Sequence, residues 1–154
     1  MKSDLDNLLA CFWEWIQMTP QLYAIESMRQ LDLEEYMFPL WDEIYDKTIE
    51  LVDSNTTDNG AMDSILTAMA LDNETEDILN YIAESGGTPF ISRIVNLGVS
   101  HMQPNARWQC AELIRRRKPP NGDIVLKQLL LDPVEYVVKR AKNAILHPYE
   151  KDWL

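Results

Sequence analysis

The sequence is poor in the residues that build metal sites, disulfide frameworks and phosphate-binding loops. Its 154 residues include two cysteines, two histidines and five glycines. Cys11 and Cys110 stand alone in apolar helical patterns, which predicts two free, buried thiols. His101 and His147 lie at predicted helix ends, and the sequence has no HExxH, ExxH or CxxC spacing and no glycine-rich nucleotide motif. We therefore expect no metal, no cofactor, no small-molecule substrate and no enzymatic activity.

Long hydrophobic runs are also missing. The most apolar early stretch, LLACFWEWI, has nine residues and contains Glu14, whereas a membrane-spanning helix needs about 20. No cleavage-site pattern of a signal peptide follows it. These features predict a cytoplasmic protein with no membrane partner. At 154 residues, the chain is most simply a single domain, residues 1–154.

Basic residues are scarce in the first half of the chain. Residues 1–84 contain 3 Lys or Arg and 19 Asp or Glu, a net charge of −16. Residues 85–154 contain 11 and 6, a net charge of +5, so that the whole chain carries −11. This asymmetry predicts either a surface that meets a cationic partner or acidic helix faces that keep the protein in solution.

Helical periodicity runs through almost the whole chain and predicts an all-α fold. In residues 1–58 it recurs in SDLDNLLACFWEWIQM, TPQLYAIESMRQL and DLEEYMFPLWDEIYDKTIELV. Ser3, Thr19 and Asp32 are expected to start these helices, and Pro39 to kink or divide the third. The aromatic residues crowded into this acidic part are expected to form its core, because large rings supply most of the burial in a small helical domain.

From residue 60 to residue 147 the chain becomes repetitive. Helix-to-helix corners are predicted at residues 71–72, 101–102 and 131–132, thirty residues apart each time. Helices resume after the corners in ETEDILNYIAES, NARWQCAELIRRR and PVEYVVKRAKNAIL, and between them lie TPFISRIVNLGVS and DIVLKQLLL. A repeated helix–turn–helix unit of this length predicts helical hairpins stacked as an α-solenoid.

The segment NARWQCAELIRRRKPPNGDIVLKQLLLDPVEYVVKRAKNAIL resembles HEAT-type repeats. It has a short outer helix, a corner that reads LLLDP and an inner helix that reads VVKRAKNAI. Ala111 and Ala141 occupy the position where that pattern has a small residue for close helix packing. The resemblance implies a short right-handed α-solenoid of HEAT-like hairpins over residues 60–147, preceded by an irregular acidic helical part over residues 1–58. A HEAT-like pattern specifies architecture rather than activity.

The basic run LIRRRKPPNG, residues 113–122, closes one of the predicted helices. Cations in a last helical turn complement the helix dipole, and at least one of these is expected to reach acidic groups of the first half. The four cations are Arg115, Arg116, Arg117 and Lys118. A positive ridge could continue along the inner surface through Arg107, Lys139, Arg140 and Lys142. The run could be structural, contact a protein or hold nucleic acid, although a net charge of −11 opposes nucleic-acid binding at long range.

A small, acidic, all-helical chain with these features is similar to bacterial immunity proteins of contact-dependent growth inhibition systems, some of which have HEAT-like folds. This resemblance implies a protein that neutralises a cognate toxin, most simply a basic nuclease, by stoichiometric binding. A nuclease must be basic to hold its substrate, so an acidic inhibitor associates rapidly by electrostatic steering. The expected partner-binding residues are Glu34, Glu35, Asp42, Glu43, Asp46, Glu50, Asp72, Glu74, Glu76 and Asp77.

Two other classes of protein fit the same sequence. A HEAT-like scaffold or adaptor subunit of a larger assembly would show the same helical pattern and acidic surface. A nucleic-acid-binding HEAT-like protein would instead use the basic ridge of its carboxy-terminal half. The second class predicts duplex binding that weakens with salt and is lost when residues 115–117 are substituted.

Overall fold

The computed structural model describes residues 4–29 and 37–148, and within these ranges the chain is helical with no β-strand. The helices are α1 (Asp4–Ile16), α2 (Pro20–Glu26) with a 3-10 turn at Ser27–Arg29, α3 (Trp41–Asp53), α4 (Asn59–Leu71), α5 (Asp77–Ser85), α6 (Thr88–Gly98), α7 (Pro104–Arg117), α8 (Gly122–Leu129) and α9 (Glu135–Leu146). The all-α fold class predicted from the sequence is thereby confirmed. The helix starts predicted at Ser3 and Asp32 lie outside the described residues.

Side-chain caps and prolines fix several helix starts. The Thr19 hydroxyl accepts a hydrogen bond from the Leu22 amide at 3.1 Å, as predicted, and Pro20 occupies the first turn of α2. The Asp58 carboxylate accepts one from the Ala61 amide at 2.8 Å and starts α4. Each bond satisfies an amide that has no partner inside its helix. Pro39 precedes α3 and does not kink it within its described span.

The three predicted corners are all present. They join α4 to α5, α6 to α7 and α8 to α9, and the new helices begin at Asp77, Pro104 and Glu135, where the sequence predicted Glu74, Asn105 and Pro133. Among the first helices of these pairs, α4 contacts α6 and α6 contacts α8. Among the second helices, α5 contacts α7 and α7 contacts α9. Equivalent helices of successive pairs therefore pack side by side.

Helix α7 is the central element of the repetitive part. It packs against α4, α5, α6, α8 and α9, and every residue from 104 to 114 is buried. Ala111 and Ala141, the two small residues expected at a close helix contact, are fully buried. A Cβ added at Gly98 on α6 would lie 2.2 Å from the Cys110 sulfur on α7. Small side chains therefore allow neighbouring helices to pack closely against α7.

The acidic amino-terminal part has an aromatic core, as expected. The rings of Phe12, Tyr23 and Phe38 are buried, and Phe12 makes edge-on contacts with the other two at centroid distances of 6.2 and 5.4 Å. Trp15 packs on Phe38 but remains partly exposed. Helix α1 rests on α3 and α4. The prediction that Cys11 is buried was wrong, because α1 turns this side chain away from its apolar face into solvent, while Cys110 is buried as predicted.

Candidate functional site

Four of the predicted partner-binding residues lie on one exposed face of α3. Asp42, Glu43, Asp46 and Glu50 are all exposed. The opposite face of the helix carries Ile44, Thr48 and Val52, which are buried in the core. Helical periodicity alone separates the two faces, since charged side chains are hydrated where apolar ones are packed. Glu34 and Glu35 lie outside the described residues.

A groove of about 530 Å³ runs between α1 and α3 and is lined by Asp4, Glu43, Asp46 and Glu50 together with Lys47. The Lys47 ammonium lies 3.2 Å from a Glu50 carboxylate oxygen and 3.7 Å from one of Asp4. The hydrogen bond to Glu50, followed by the charge of Glu50 and that of Asp4, raises the pKa of Lys47. The described residues thus give the groove four carboxylates and one ammonium, which is a net negative charge.

The second predicted acidic group, residues 72–77, forms the corner between α4 and α5. Glu74 and Asp77 are exposed and Glu76 is half-buried. Glu76 has a left-handed backbone conformation, with φ of 56°, and its amide donates to the Asp72 carbonyl at 2.9 Å. The corner thus presents two or three carboxylates to solvent at the start of α5, where a helix dipole favours them.

Asp72, which was also predicted to contact a partner, differs from its exposed neighbours Glu74 and Asp77. Its side chain is buried, with one oxygen accepting from the Thr75 hydroxyl at 2.5 Å and the other from the Ile78 amide at 2.8 Å. Burial raises the pKa of the Asp72 carboxyl, against the opposing effect of these hydrogen bonds. Asp72 therefore holds the corner together.

Tyr45 joins the α3 face to the corner. Helices α3 and α5 are in contact, and Tyr45 lies half-buried between them. Burial, followed by the charges of Asp77, Asp72 and Asp46, raises the pKa of the Tyr45 hydroxyl. Carboxylates from α3 and from the corner are therefore close enough to act on one ring. We call the exposed acids of this region the acidic surface: Asp42, Glu43, Asp46, Glu50, Glu74 and Asp77.

The basic run at the end of α7 is largely occupied inside the fold. Arg115 donates to both carboxylate oxygens of Glu112, at 2.6 and 2.9 Å. Arg116 donates to Glu112 at 3.0 Å and to the Asn80 side chain at 2.9 Å. Arg140, from α9, adds a third guanidinium at 3.3 Å and lies 4.4 Å from the centre of the Trp108 ring. Three arginines thus surround one buried carboxylate.

The rest of the run also has structural contacts. Arg117 donates to the carbonyls of Ala83 and Gly86, at 3.1 and 2.6 Å, and so ties the end of α5 to the end of α7. Lys118 ends α7 in a left-handed conformation, with φ of 47°, and its amide donates to the Ile114 carbonyl. This cap accounts for the abrupt stop before the two prolines. Arg116 and Arg117 reach the first half of the chain at the Asn80 side-chain amide and the Ala83 carbonyl, whereas contacts with its acidic groups were expected from the sequence.

The positive ridge expected from the sequence is therefore interrupted. Arg107 is buried and makes a two-point ion pair with Asp132, at 2.7 and 3.2 Å, while also donating to the His101 carbonyl at 2.8 Å. Arg140 is engaged by Glu112 and Trp108. Lys139 and Lys142 remain exposed on α9. Two of the four residues that would form the ridge thus hold helix corners and helix pairs together.

One cluster of polar residues was not found by sequence reasoning. A pocket of about 630 Å³ lies between α1, α4 and the corner that joins α6 to α7, with Asp6, Asp63 and His101 among its lining residues. His101 is buried there, in the corner between α6 and α7, where the sequence predicted a helix end. These residues come from three separate parts of the chain, so no local spacing could have indicated the pocket.

The described residues contain no group of three or more His, Cys, Asp or Glu side chains placed to hold a metal ion. None of the described helices combines the length and apolar character that a membrane span requires. The chain matches no protein-family model, no curated protein and no solved structure.

Proposed function

We propose that this protein is an inhibitor that acts by binding: an immunity protein that neutralises a cognate basic toxin, most simply a nuclease, at one-to-one stoichiometry. The observation that carries this proposal is the acidic surface, on which α3 and the neighbouring α4–α5 corner present exposed carboxylates. The proposed role is binding rather than catalysis, in the cytoplasm, without a cofactor and without nucleic acid, membrane or small-molecule substrate as partner.

The distribution of bonds within the fold supports a cationic partner. Arg115, Arg116 and Arg140 are bonded to Glu112, and Arg107 is bonded to Asp132, so that these arginines are engaged within the carboxy-terminal half. In contrast, the groove beside the acids of α3 contains one ammonium among the described residues, that of Lys47. A cleft lined with lysine and arginine, as in a nuclease, would complement this uncompensated charge and associate with it rapidly.

The arrangement of helix pairs supports a HEAT-like architecture for the inhibitor. We infer that α4 to α9 form a short right-handed solenoid of three hairpins, over residues 60–147, within one domain of residues 1–154. Contacts between equivalent helices of successive pairs support this inference, as do the buried small residues Ala111 and Ala141. In such an array each hairpin buries its apolar face on the next, which leaves the outer faces free for binding.

The experiment that tests the function is capture of partners from the source lysate by the tagged protein, followed by mass spectrometry. The proposal predicts one basic domain, recovered at equal molar amount and stable on gel filtration. Recovery of a set of housekeeping subunits would favour the scaffold or adaptor class. Recovery of nucleic acid that elutes with salt, together with loss of duplex binding in variants of residues 115–117, would favour the nucleic-acid-binding class.

A pair of charge-reversal variants locates the interface. Glu43→Lys with Asp46→Lys reverses two carboxylates in the middle of the acidic surface, and we expect the association rate to fall by about 10-fold or more. Asp123→Lys with Glu135→Lys makes the same change in net charge on exposed positions of α8 and α9 and is the matched control. Equal rates for the two double variants would show that the toxin does not bind at the acidic surface.

The reactivity of Cys11 can report whether a partner covers the groove between α1 and α3. Cys11 is exposed and lines the groove between α1 and α3, whereas Cys110 is buried. A bound partner on the acidic surface should therefore protect Cys11 from a maleimide reagent, as measured by intact-mass spectrometry. Full reactivity of Cys11 in a saturated complex would place the partner away from this groove.

A further inference from the structure

The pocket between α1, α4 and the α6–α7 corner has an apolar wall and a polar wall. The apolar wall consists of Leu9, Ala10 and Trp13 from α1, with Leu66 and Leu97 from α4 and α6. The polar wall carries Asp6, Asp63, Thr67, His101 and Gln103. Its volume of about 630 Å³ lies within the range of sites that bury a small ligand or a long side chain.

Hydrogen bonds fix the orientation of the side chains in the polar wall. The Nδ1 atom of His101 accepts from the Gln103 amide at 3.0 Å, so the hydrogen of the neutral ring is on Nε2. That Nε2 lies 3.3 Å from an Asp63 carboxylate oxygen and 3.2 Å from the Thr67 hydroxyl. The ring therefore holds one end of Asp63, whose side chain is otherwise 72% exposed. On α1, Asp6 accepts a hydrogen bond from the Ser64 hydroxyl.

Gln103 supplies an acceptor that the fold itself leaves unused. Gln103 as a whole is 1% exposed, and its Nε2 donates to the Pro20 carbonyl at 2.9 Å, which fixes the orientation of the amide. Its Oε1 has no hydrogen-bond partner among the described residues. A buried carbonyl oxygen without a partner costs about 1–3 kcal/mol, so a donor that reached it would recover that energy.

The polar wall therefore fits a hydrogen-bond donor with positive charge. Among the described residues, the charged side chains that line it are Asp6 and Asp63, and Thr67 and Gln103 add a hydroxyl and an amide. An arginine or lysine side chain has an apolar stem, which fits the apolar wall, and a cationic head, which fits the polar wall. A guanidinium fits better than an ammonium, because its planar head carries five donors for several acceptors at once.

We propose that this pocket binds an alkylguanidinium group, presented as an arginine side chain by the basic partner. Only the source of the guanidinium rests on the proposed function; the chemistry of the pocket does not. The apolar stem would lie along Leu9 and Trp13 while the head reaches Asp63 and the Oε1 of Gln103. The pocket would then give the complex a specific anchor apart from the longer-range attraction of the acidic surface.

The test uses the protein alone with a matched pair of small molecules. N-butylguanidinium and N-butylurea have the same shape, but the urea lacks the charge. We expect N-butylguanidinium to cause saturable NMR shifts in the His101 ring and the Gln103 side-chain amide, with an affinity at least 10-fold above that of N-butylurea. Asp63→Asn should weaken its binding about 10-fold, while Asp123→Asn, at an exposed position of α8 outside both proposed binding sites, should leave binding unchanged. Asp63 is largely exposed, so the variant should retain the thermal midpoint of the native chain.

Three outcomes would overturn the inference: no saturable shift, equal affinity for the two molecules, or equal effects of the two variants. Failure here is distinguishable from failure of the proposed function. Capture of a basic toxin without N-butylguanidinium binding would refute the pocket alone. Binding of N-butylguanidinium that depends on Asp63, in a protein that captures no toxin, would refute the immunity function and identify a free guanidinium compound as the ligand.

Discussion

Replacing Glu112 with glutamine should be among the most damaging conservative changes in this protein. The Glu112 side chain is 6% exposed and accepts from Arg115, Arg116 and Arg140 at distances from 2.6 to 3.3 Å. Glutamine keeps the shape but removes the charge. It also turns an amide NH2 toward guanidinium groups that need acceptors, so that donors face donors.

The magnitude follows from the burial of the carboxylate. Removing one partner of a buried ion pair costs about 3–5 kcal/mol, because the remaining charge is left without compensation. The three arginine side chains are 22%, 25% and 23% exposed, so water hydrates part of the charge that remains. We therefore expect the low end of that range, about 3 kcal/mol. For a chain of this size that corresponds to a fall of about 6–12 °C in the midpoint of thermal unfolding.

The assay is urea unfolding of Glu112→Gln and the native chain, followed by circular dichroism at several pH values. Burial alone would raise the pKa of Glu112, but hydrogen bonds from Arg115 and Arg116 and their charges outweigh it, and the pKa is lowered. A lowered pKa gives stability that is present above the unfolded value, about 4.3 for glutamate, and is lost as the pH falls through the folded value. The two proteins should therefore differ most at pH 7 and converge in acid.

Glu14→Gln is the matched control, because Glu14 is an exposed glutamate on α1. It should change the free energy of unfolding by less than about 0.5 kcal/mol. A difference below 0.5 kcal/mol for Glu112→Gln at pH 7 would refute the reasoning. So would a difference that stays constant as the pH falls below 4, because it could not come from the ionised carboxylate.

Three further predictions concern the packing of the fold. Gly98→Ala should lower the free energy of unfolding by about 1–3 kcal/mol, because the added Cβ would lie 2.2 Å from the Cys110 sulfur. Cys110→Ala in the same chain should restore much of this loss, which a double-mutant cycle in urea would measure. Asp72→Ala should cost about 1–2 kcal/mol by removing the bonds to Thr75 and Ile78, whereas Asp72→Asn, which keeps an acceptor and needs no buried charge, should cost clearly less in the same assay. Maleimide should modify Cys11 in the native protein and Cys110 only in urea, because burial raises the pKa of the Cys110 thiol to about 12. Intact-mass spectrometry should then show one adduct on the native protein and two on the protein in urea.

Local chemistry predicted the helix starts and corners well. Thr19 caps α2 because its hydroxyl reaches the Leu22 amide within the same turn, and this contact depends on nothing distant in the chain. The thirty-residue spacing of the three corners is likewise a property of neighbouring residues, and all three are present. Cys11 shows the limit of such reasoning, because it lies near apolar residues in the sequence but on the outward side of α1.

The acidic site was predicted in part, for a related reason. Periodicity was sufficient to place Asp42, Glu43, Asp46 and Glu50 on the outer face of α3, because the buried face of that helix is apolar. It could not distinguish Asp72 from its exposed neighbours at the corner. Whether a carboxylate faces water or folds back onto backbone amides depends on the turn that it closes, and Asp72 closes this turn through the Thr75 hydroxyl and the Ile78 amide.

What the sequence determined by itself was the helices, their corners and the excess of acid in the first half, because spacing, capping and charge are properties of neighbouring residues. Only the tertiary structure decided which partners the charged side chains contact. Packing brought Arg140 to Glu112 across 28 positions of the chain, and brought His101 to Thr67 across 34. Ion pairs and pockets of this kind depend on which helices touch, and contacts between distant residues leave no local pattern to find.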